Sequence, residues 1–174
     1  MKKINKLSVV LAVYNEGENI KACLDSVKDL ADVMCPNRTK PNDYPAAIAK
    51  KLGAKVFIVP NQMMFHKNKQ LALDKATGDW ILQLDADERV NKNLKKEISL
   101  KVHQIHEVNG FYLPRKNNFL GRFLTKGGQY PDYVIRLVRK GEAHFPCQSV
   151  HEQIKVKGKV GYLKNPLIHL TAPS

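Results

Sequence analysis

Apolar and polar positions divide the chain into two textures: long buried runs alternating with helical periods, then short strands. Leu7–Val13 is a continuous apolar, β-branched run, as expected of a strand covered on both faces. It breaks at Tyr14-Asn15-Glu16-Gly17-Glu18-Asn19, where Asn15, with Glu18 three residues on, is placed to cap a helix. Ile20, Cys23, Leu24, Val27 and Leu30 then recur at helical spacing and predict one apolar stripe. Strand, tight loop and helix make the first half of a βαβ unit.

The segment Val33–Pro45 interrupts this pattern. It holds three prolines and no alternation, and it predicts a loop, because proline removes ladder donors. Order returns with a short helix over Ala46–Leu52, closed by Gly53, and a strand over Lys55–Val59 ended by Pro60. Asn68–Ala76 predicts a helix with Leu71 and Ala72 inward, stopped by Thr77-Gly78-Asp79. Trp80–Leu84 is a buried strand, with Trp80 in the core, that delivers Asp85-Ala86-Asp87-Glu88-Arg89. A long helix from about Asn91 carries Leu94, Ile98, Val102 and Ile105 and ends near Asn109-Gly110. Short strands follow at Phe111–Leu113, Val134–Val138, Ile154–Val156 and Val160–Leu163. Alternating β and α elements with a smaller mixed portion predict an α/β sheet with an appended lobe.

Composition adds bounds. A chain of 174 residues is long enough for one domain with a real core, and 43% hydrophobic with 26% charged residues is ordinary for a globular protein. The run Leu7–Val13 is short and lacks a small-residue cleavage site, so it reads as a strand rather than a signal peptide. No stretch approaches the roughly 20 apolar residues of a membrane helix. Cys23, Cys35 and Cys147 are widely spaced and odd in number, which fits reduced thiols in a cytoplasmic compartment. The net charge of +13 favours an anionic partner: a nucleotide, an anionic membrane surface, a phosphorylated glycolipid or nucleic acid. Nucleic acid ranks last, since aromatic and basic residues are not interleaved and no binding motif is present.

Asp85 and Asp87 carry the candidate chemistry. In extended backbone, residues i and i+2 point the same way, so both carboxylates would face one spot at the carboxyl edge of the sheet. Open α/β sheets place ligands at that edge. Two hard oxygen donors there suit Mg2+ or Mn2+, ions that keep positions open for phosphate oxygens.

Leu7–Asn19, Lys67–Glu88 and Gly127–Glu152 together resemble the inverting family-2 glycosyltransferases, and within them the bacterial lipopolysaccharide-core glucosyltransferases. The features shared with that branch are Asn68-Lys69-Gln70-Leu71-Ala72-Leu73 before an Asp-Trp strand, Gly127-Gly128-Gln129-Tyr130-Pro131-Asp132 leading to Arg136-Leu137, and Val150-His151-Glu152. The resemblance implies a glycosyltransferase-A fold, a Rossmann-like mixed sheet flanked by helices. It implies a single domain over residues 1–174, with a nucleotide-sugar half (1–90) and an acceptor half (91–174), the latter expected to be truncated at its C-terminus. It also implies a metal-dependent transfer of a hexose from a nucleotide-diphosphate sugar, a UDP-sugar foremost, to a cell-envelope glycan or lipid-linked acceptor. The enzyme would work in the cytoplasm, peripheral on the inner face of an anionic membrane.

By the same resemblance, backbone around Ala12–Tyr14 and the Glu16 side chain line the nucleotide pocket, and Lys69 sits near the diphosphate. Asp85 faces the ribose or a metal-bound water, and Asp87 binds the metal, with His151 or His169 completing its shell. Inversion needs a base for the acceptor hydroxyl. Asp132 is the first choice and Glu152 the second, the alternative for Glu152 being an ion pair with Arg136 or Arg139. One departure stands out. Relatives continue after the first helix with a second apolar strand ending in an acid that reads the base, whereas Val33–Ala47 supplies neither, and its only carboxylate is Asp43. Compensating frameshifts would leave such a length-conserving change. The competing expectation is therefore a glycosyltransferase-like relic with impaired donor binding.

Overall fold

The computed structural model describes residues 4–13, 17–30, 32–37, 44–59, 62–149 and 152–170. Two apolar strands, β1 (Leu7–Leu11) and β4 (Trp80–Leu84), form its centre, and every residue in both is buried. They pair in parallel, from Leu7 beside Trp80 to Leu11 beside Leu84. Gly78 makes this approach possible. A Cβ there would lie 2.8 Å from the Lys6 carbonyl and from the Ser8 amide nitrogen. The Ser8 hydroxyl accepts from the Gly78 N–H at 2.9 Å and ties the β4 entry to β1.

The predicted loop at Val33–Pro45 is corrected in its first half. Asp32–Asn37 forms strand β2, parallel both to β1 and to β3 (Lys55–Ile58). The proline argument fails for a local reason. Pairing with β1 runs from Asp32 to Met34, whereas Pro36 lies in the stretch that pairs only with β3, opposite Phe57. One side of the backbone is unshared there, and proline is tolerated at such edge positions. Residues 38–43, including Arg38, Lys40 and Asp43, lie outside the described residues. The helix predicted over Ala46–Leu52 begins slightly earlier, as α2 (Tyr44–Lys51).

The sheet continues in order β3-β2-β1-β4-β8-β6-β12-β5, with β7 (Arg122–Phe123) and β11 (Val160–Tyr162) also on β6. β8 (Asp132–Arg139) is antiparallel to β4, and β6 (Gly110–Phe119) is antiparallel to β8. β12 (Leu167–Leu170) runs parallel to β6 and antiparallel to β5 (Glu88–Val90). β9 (Ala143–His144) and β10 (Lys155–Val156) pair separately.

Alternation along β1 assigns the two faces. Leu7, Val9 and Leu11 pack with Ile20 and Leu24 of α1 (Gly17–Asp25) and with Leu94, Ile98 and Val102 of α4 (Lys92–His103). Val10 packs on the other face with Ala72 and Leu73 of α3 (Phe65–Lys75). Leu73, rather than the half-buried Leu71, joins Ala72 in the core. The α4 stripe is one residue shorter than its spacing predicts. Asn91 caps the helix through the Leu94 N–H, the helix ends at His103, and Ile105 is 87% exposed. Trp80 is fully buried, as predicted, with the Arg139 guanidinium 4.7 Å from its ring centre.

Candidate active site at the carboxyl edge of the sheet

Because Leu11 lies beside Leu84, Ala12 and Asp85 leave the sheet at the same edge, and Ala12 is buried there. The backbone then turns. The Glu88 N–H donates to the Asp85 carbonyl at 3.0 Å, so Ala86 and Asp87 occupy a turn and not extended chain. This corrects the reading that both carboxylates face one spot. Their side chains have different partners.

Asp85 is embedded in a network of buried charges. Lys69 Nζ lies 2.6 Å from Oδ1, Arg136 Nη2 lies 2.8 Å from Oδ2, and Gln83 Nε2 donates to Oδ1 at 3.2 Å. Arg136 also donates to Glu88 Oε1 at 2.8 Å and to Gln83 Oε1 at 2.6 Å. Glu88 Oε2 returns to the Asp85 N–H at 2.9 Å. Two cations thus face two anions, in the arrangement that makes burial of charge tolerable. Burial works to raise the Asp85 carboxyl, but Arg136 and Lys69 outweigh it and hold it well below the usual carboxylate range. Burial pushes the Lys69 ammonium down, against the pull of Asp85. Burial likewise pushes Glu88 up, against Arg136.

Asp87 belongs to a second chain of groups. Its Oδ2 lies 3.2 Å from His169 Nε2, while its Oδ1 is buried without a hydrogen-bond partner among the described residues. His169 Nδ1 lies 2.7 Å from Asn117 Oδ1, and Asn117 Nδ2 donates to Asp132 Oδ2 at 3.2 Å. That amide orientation makes Nδ1 the protonated ring nitrogen and turns Nε2 toward Asp87. Asp132 Oδ2 also accepts from Arg115 Nε at 2.9 Å and from Nη2 at 2.7 Å. Partial burial works to raise the Asp132 carboxyl, but the bonds from Arg115 and Asn117 prevail and lower it.

A cleft of about 300 Å³ opens beside these groups, lined by Lys69, Asp85, Asp132, Arg136, Phe145 and Glu152 among others. Glu152 Oε1 accepts from the Gln148 N–H at 2.8 Å, and its Oε2 is buried without a partner among the described residues. The predicted ion pair of Glu152 with Arg136 or Arg139 is not formed, since Arg136 serves Asp85 and Glu88 and Arg139 covers Trp80. Lys69, Asp85, Asp132 and Glu152 therefore come together, and Asp87 joins Asp132 through His169 and Asn117. Tyr14, Glu16 and His151 lie outside the described residues. Sequence reasoning missed Gln83, Arg115 and Asn117. A glutamine inside the apolar run of β4 was the one available signal, whereas Arg115 and Asn117 sit in a polar stretch with no period.

The four parallel strands, the antiparallel extension and the acids at the end of β4 define a glycosyltransferase-A fold. The Staphylococcus aureus TarS fragment 1–349 superposes with a TM-score of 0.70 at 18% identity, covering 95% of this chain and 60% of that one. Glucosyl-3-phosphoglycerate synthase of Mycobacterium tuberculosis, in complex with Mn2+ and UDP-glucose, superposes with a TM-score of 0.51 at 20% identity, over 67% of this chain and 44% of that one. The chain belongs to glycosyl transferase family 2, whose family model matches residues 8–162. It is 24% identical over 159 residues to the lipopolysaccharide core biosynthesis glycosyltransferase LpsC of Rhizobium meliloti, covering 89% of this chain and 59% of LpsC. An uncharacterised glycosyltransferase of Rickettsia conorii is 36% identical over 93 residues, 53% of this chain. The chain spans about a third of that relative's length. Among the described residues no helix is long and apolar enough to cross a membrane.

Proposed function

We propose that the chain carries the catalytic centre of an inverting glycosyltransferase that moves a hexose from a nucleotide-diphosphate sugar to a cell-envelope glycan or lipid-linked acceptor. Residues 1–90 form the donor half and residues 91–174 the acceptor half. A UDP-sugar is the first donor to try, since the TarS fragment has been solved with UDP-GlcNAc and with UDP. The expectation of a relic rested on a missing second strand, and β2 supplies that strand, although it ends at Asn37 and not at an acid.

The observation that carries the reading is Asp87. A buried carboxylate oxygen without a donor among the described residues, beside an imidazole whose Nε2 faces the same side chain, suits a divalent cation. No group of three or more described His, Cys, Asp or Glu residues forms a complete cage. Mg2+ and Mn2+ need none, because one or two protein ligands plus substrate phosphates suffice. Asp87 and His169 would hold the ion, which would neutralise charge developing on the departing diphosphate. Asp85 is already paired and acts instead by holding Lys69 and Arg136 in place in the cleft wall.

Asp132 is the base of first choice. It lies on the cleft wall, and Arg115 keeps it ionised, ready to accept the proton of an acceptor hydroxyl. The unpartnered Oε2 of Glu152 in the same cleft favours a second reading in which that carboxylate takes the proton. Thermal denaturation with UDP-sugars and Mn2+ tests the proposal. A donor at a hundredfold over its Kd should stabilise the protein by about 2.7 kcal/mol. Stabilisation that needs Mn2+ and disappears in Asp87→Ala supports the reading, and a folded protein unmoved by every nucleotide sugar overturns it. Asp132→Asn and Glu152→Gln then separate the bases, because the true base loses transfer while keeping the donor shift.

A further inference from the structure

The β6–β7 hairpin presents an apolar tip that the chemistry above does not use. Its two-residue turn is Leu120-Gly121, with φ of 47° and 78°, between the paired residues Phe119 and Arg122. Hairpins with this turn favour Asn-Gly, yet here a leucine occupies the left-handed position and is 68% exposed. Phe119 is 49% exposed and Phe123 is 44% exposed beside it. Three large apolar side chains within five residues thus stand in water at the end of a two-stranded arm.

The surroundings of the tip are cationic. From Pro114 to Pro131 the chain has Arg115, Lys116, Arg122 and Lys126 and no acidic residue. Lys116 Nζ lies 4.5 Å from the centre of the Phe123 ring, so a basic head and an aromatic face already share this patch. Apolar tip plus basic collar matches a surface that is anionic outside and hydrocarbon beneath. The net charge of +13 reinforces the match over the whole chain. The arm also borders chemistry. A second cavity of about 400 Å³ is lined by Leu124, Gly128, Gln129, Pro131 and Asp132, and Asp132 lines the donor cleft as well.

We propose that Phe119, Leu120 and Phe123 insert into the interfacial layer of an anionic lipid bilayer, with Lys116, Arg122 and Lys126 on the headgroups. The side of Asp132 away from the donor cleft then faces the membrane, and a lipid-borne acceptor enters there. Only this direction of entry rests on the proposed transferase activity; insertion stands independently.

Vesicle flotation of the full chain tests the inference, with zwitterionic phosphatidylcholine vesicles against vesicles containing phosphatidylglycerol. Binding should require the anionic lipid and weaken with salt. Leu120→Asn places the residue the turn prefers while removing the apolar group, so folding is kept. With Phe119→Ser and Phe123→Ser added, the partition coefficient should fall by about tenfold or more. In Leu120→Trp, brominated lipids should quench the new indole, because the native Trp80 is fully buried and supplies a constant background. Undiminished vesicle binding by the triple variant, or an unquenched Trp at position 120, overturns insertion. Self-association of the parent that is lost in Leu120→Asn assigns the patch to a second copy and overturns it too. The UDP-sugar thermal shift, measured on the same variants, reports separately on the donor site.

Discussion

Asp85 and Asp87 stand two residues apart at the end of one strand and sit in opposite surroundings. Both Asp85 oxygens are held by Lys69, Arg136 and Gln83, and the charges around it balance. Asp87 has one oxygen 3.2 Å from His169 Nε2 and one buried oxygen with no partner among the described residues. The first arrangement is complete by itself; the second leaves an acceptor open, which the proposed cation would fill. Two carboxylates of one short acidic motif thus differ: Asp85 is tied into the protein, and Asp87 is the one the proposed function assigns to the ligand. The physical cause is the turn at Ala86-Asp87, which ends the alternation of the strand and sends the two side chains to different elements.

The largest effect that separates the two regions is on stability. Arg136→Ala would leave Asp85, Glu88 and Gln83 without their shared donor and should cost about 3–5 kcal/mol, read from urea denaturation. A loss below about 1 kcal/mol would show that the network is no more than a surface-type ion pair. Asp87→Asn should change stability by no more than about 0.5 kcal/mol while abolishing the Mn2+-dependent donor shift. If it destabilises as Arg136→Ala does, the contrast between the two aspartates collapses.

A finer test lies in Asn117. Its amide fixes the imidazole orientation of His169, so Asn117→Ala should weaken Mn2+ binding by about tenfold or more, measured by electron paramagnetic resonance in the presence of UDP. Unchanged affinity would mean that packing alone orients His169. The smallest effect is the acid dependence. The folded-state pKa of Asp85 is lowered, so its contribution is fully present above the unfolded value near 3.9 and is lost as pH falls toward the folded value. Between about pH 5 and pH 2 the parent should therefore lose stability more steeply than Asp85→Asn. Glu88, raised by burial and further by the Asp85 charge, works in the opposite sense, and Asp85→Asn relieves the part that Asp85 contributes. Equal slopes would remove Asp85 from the acid response.

Sequence pattern alone was sufficient for β1, β4 and the body of α4, because burial on both faces leaves a continuous apolar run and burial on one side leaves a helical stripe. It failed at β2, where the proline rule was applied to a strand whose relevant stretch has one neighbour only. It also failed at Ile105, where the period ran on past the helix end. β5 and β12 were too short to leave any period, yet β12 brings His169 to Asp87 across 82 residues of sequence.

From its residues alone this protein determined β1, β4 and the place of Asp85 and Asp87 at the sheet edge. Those features follow from local hydrophobic period and from strand polarity, which are written along the chain. Which aspartate is neutralised, which histidine meets the other and which cavity Asp132 divides were decided only in three dimensions. Charges interact through space over a few ångströms, and the partners of Asp85 and Asp87 come from α3, β8 and β12, whose approach no local pattern encodes.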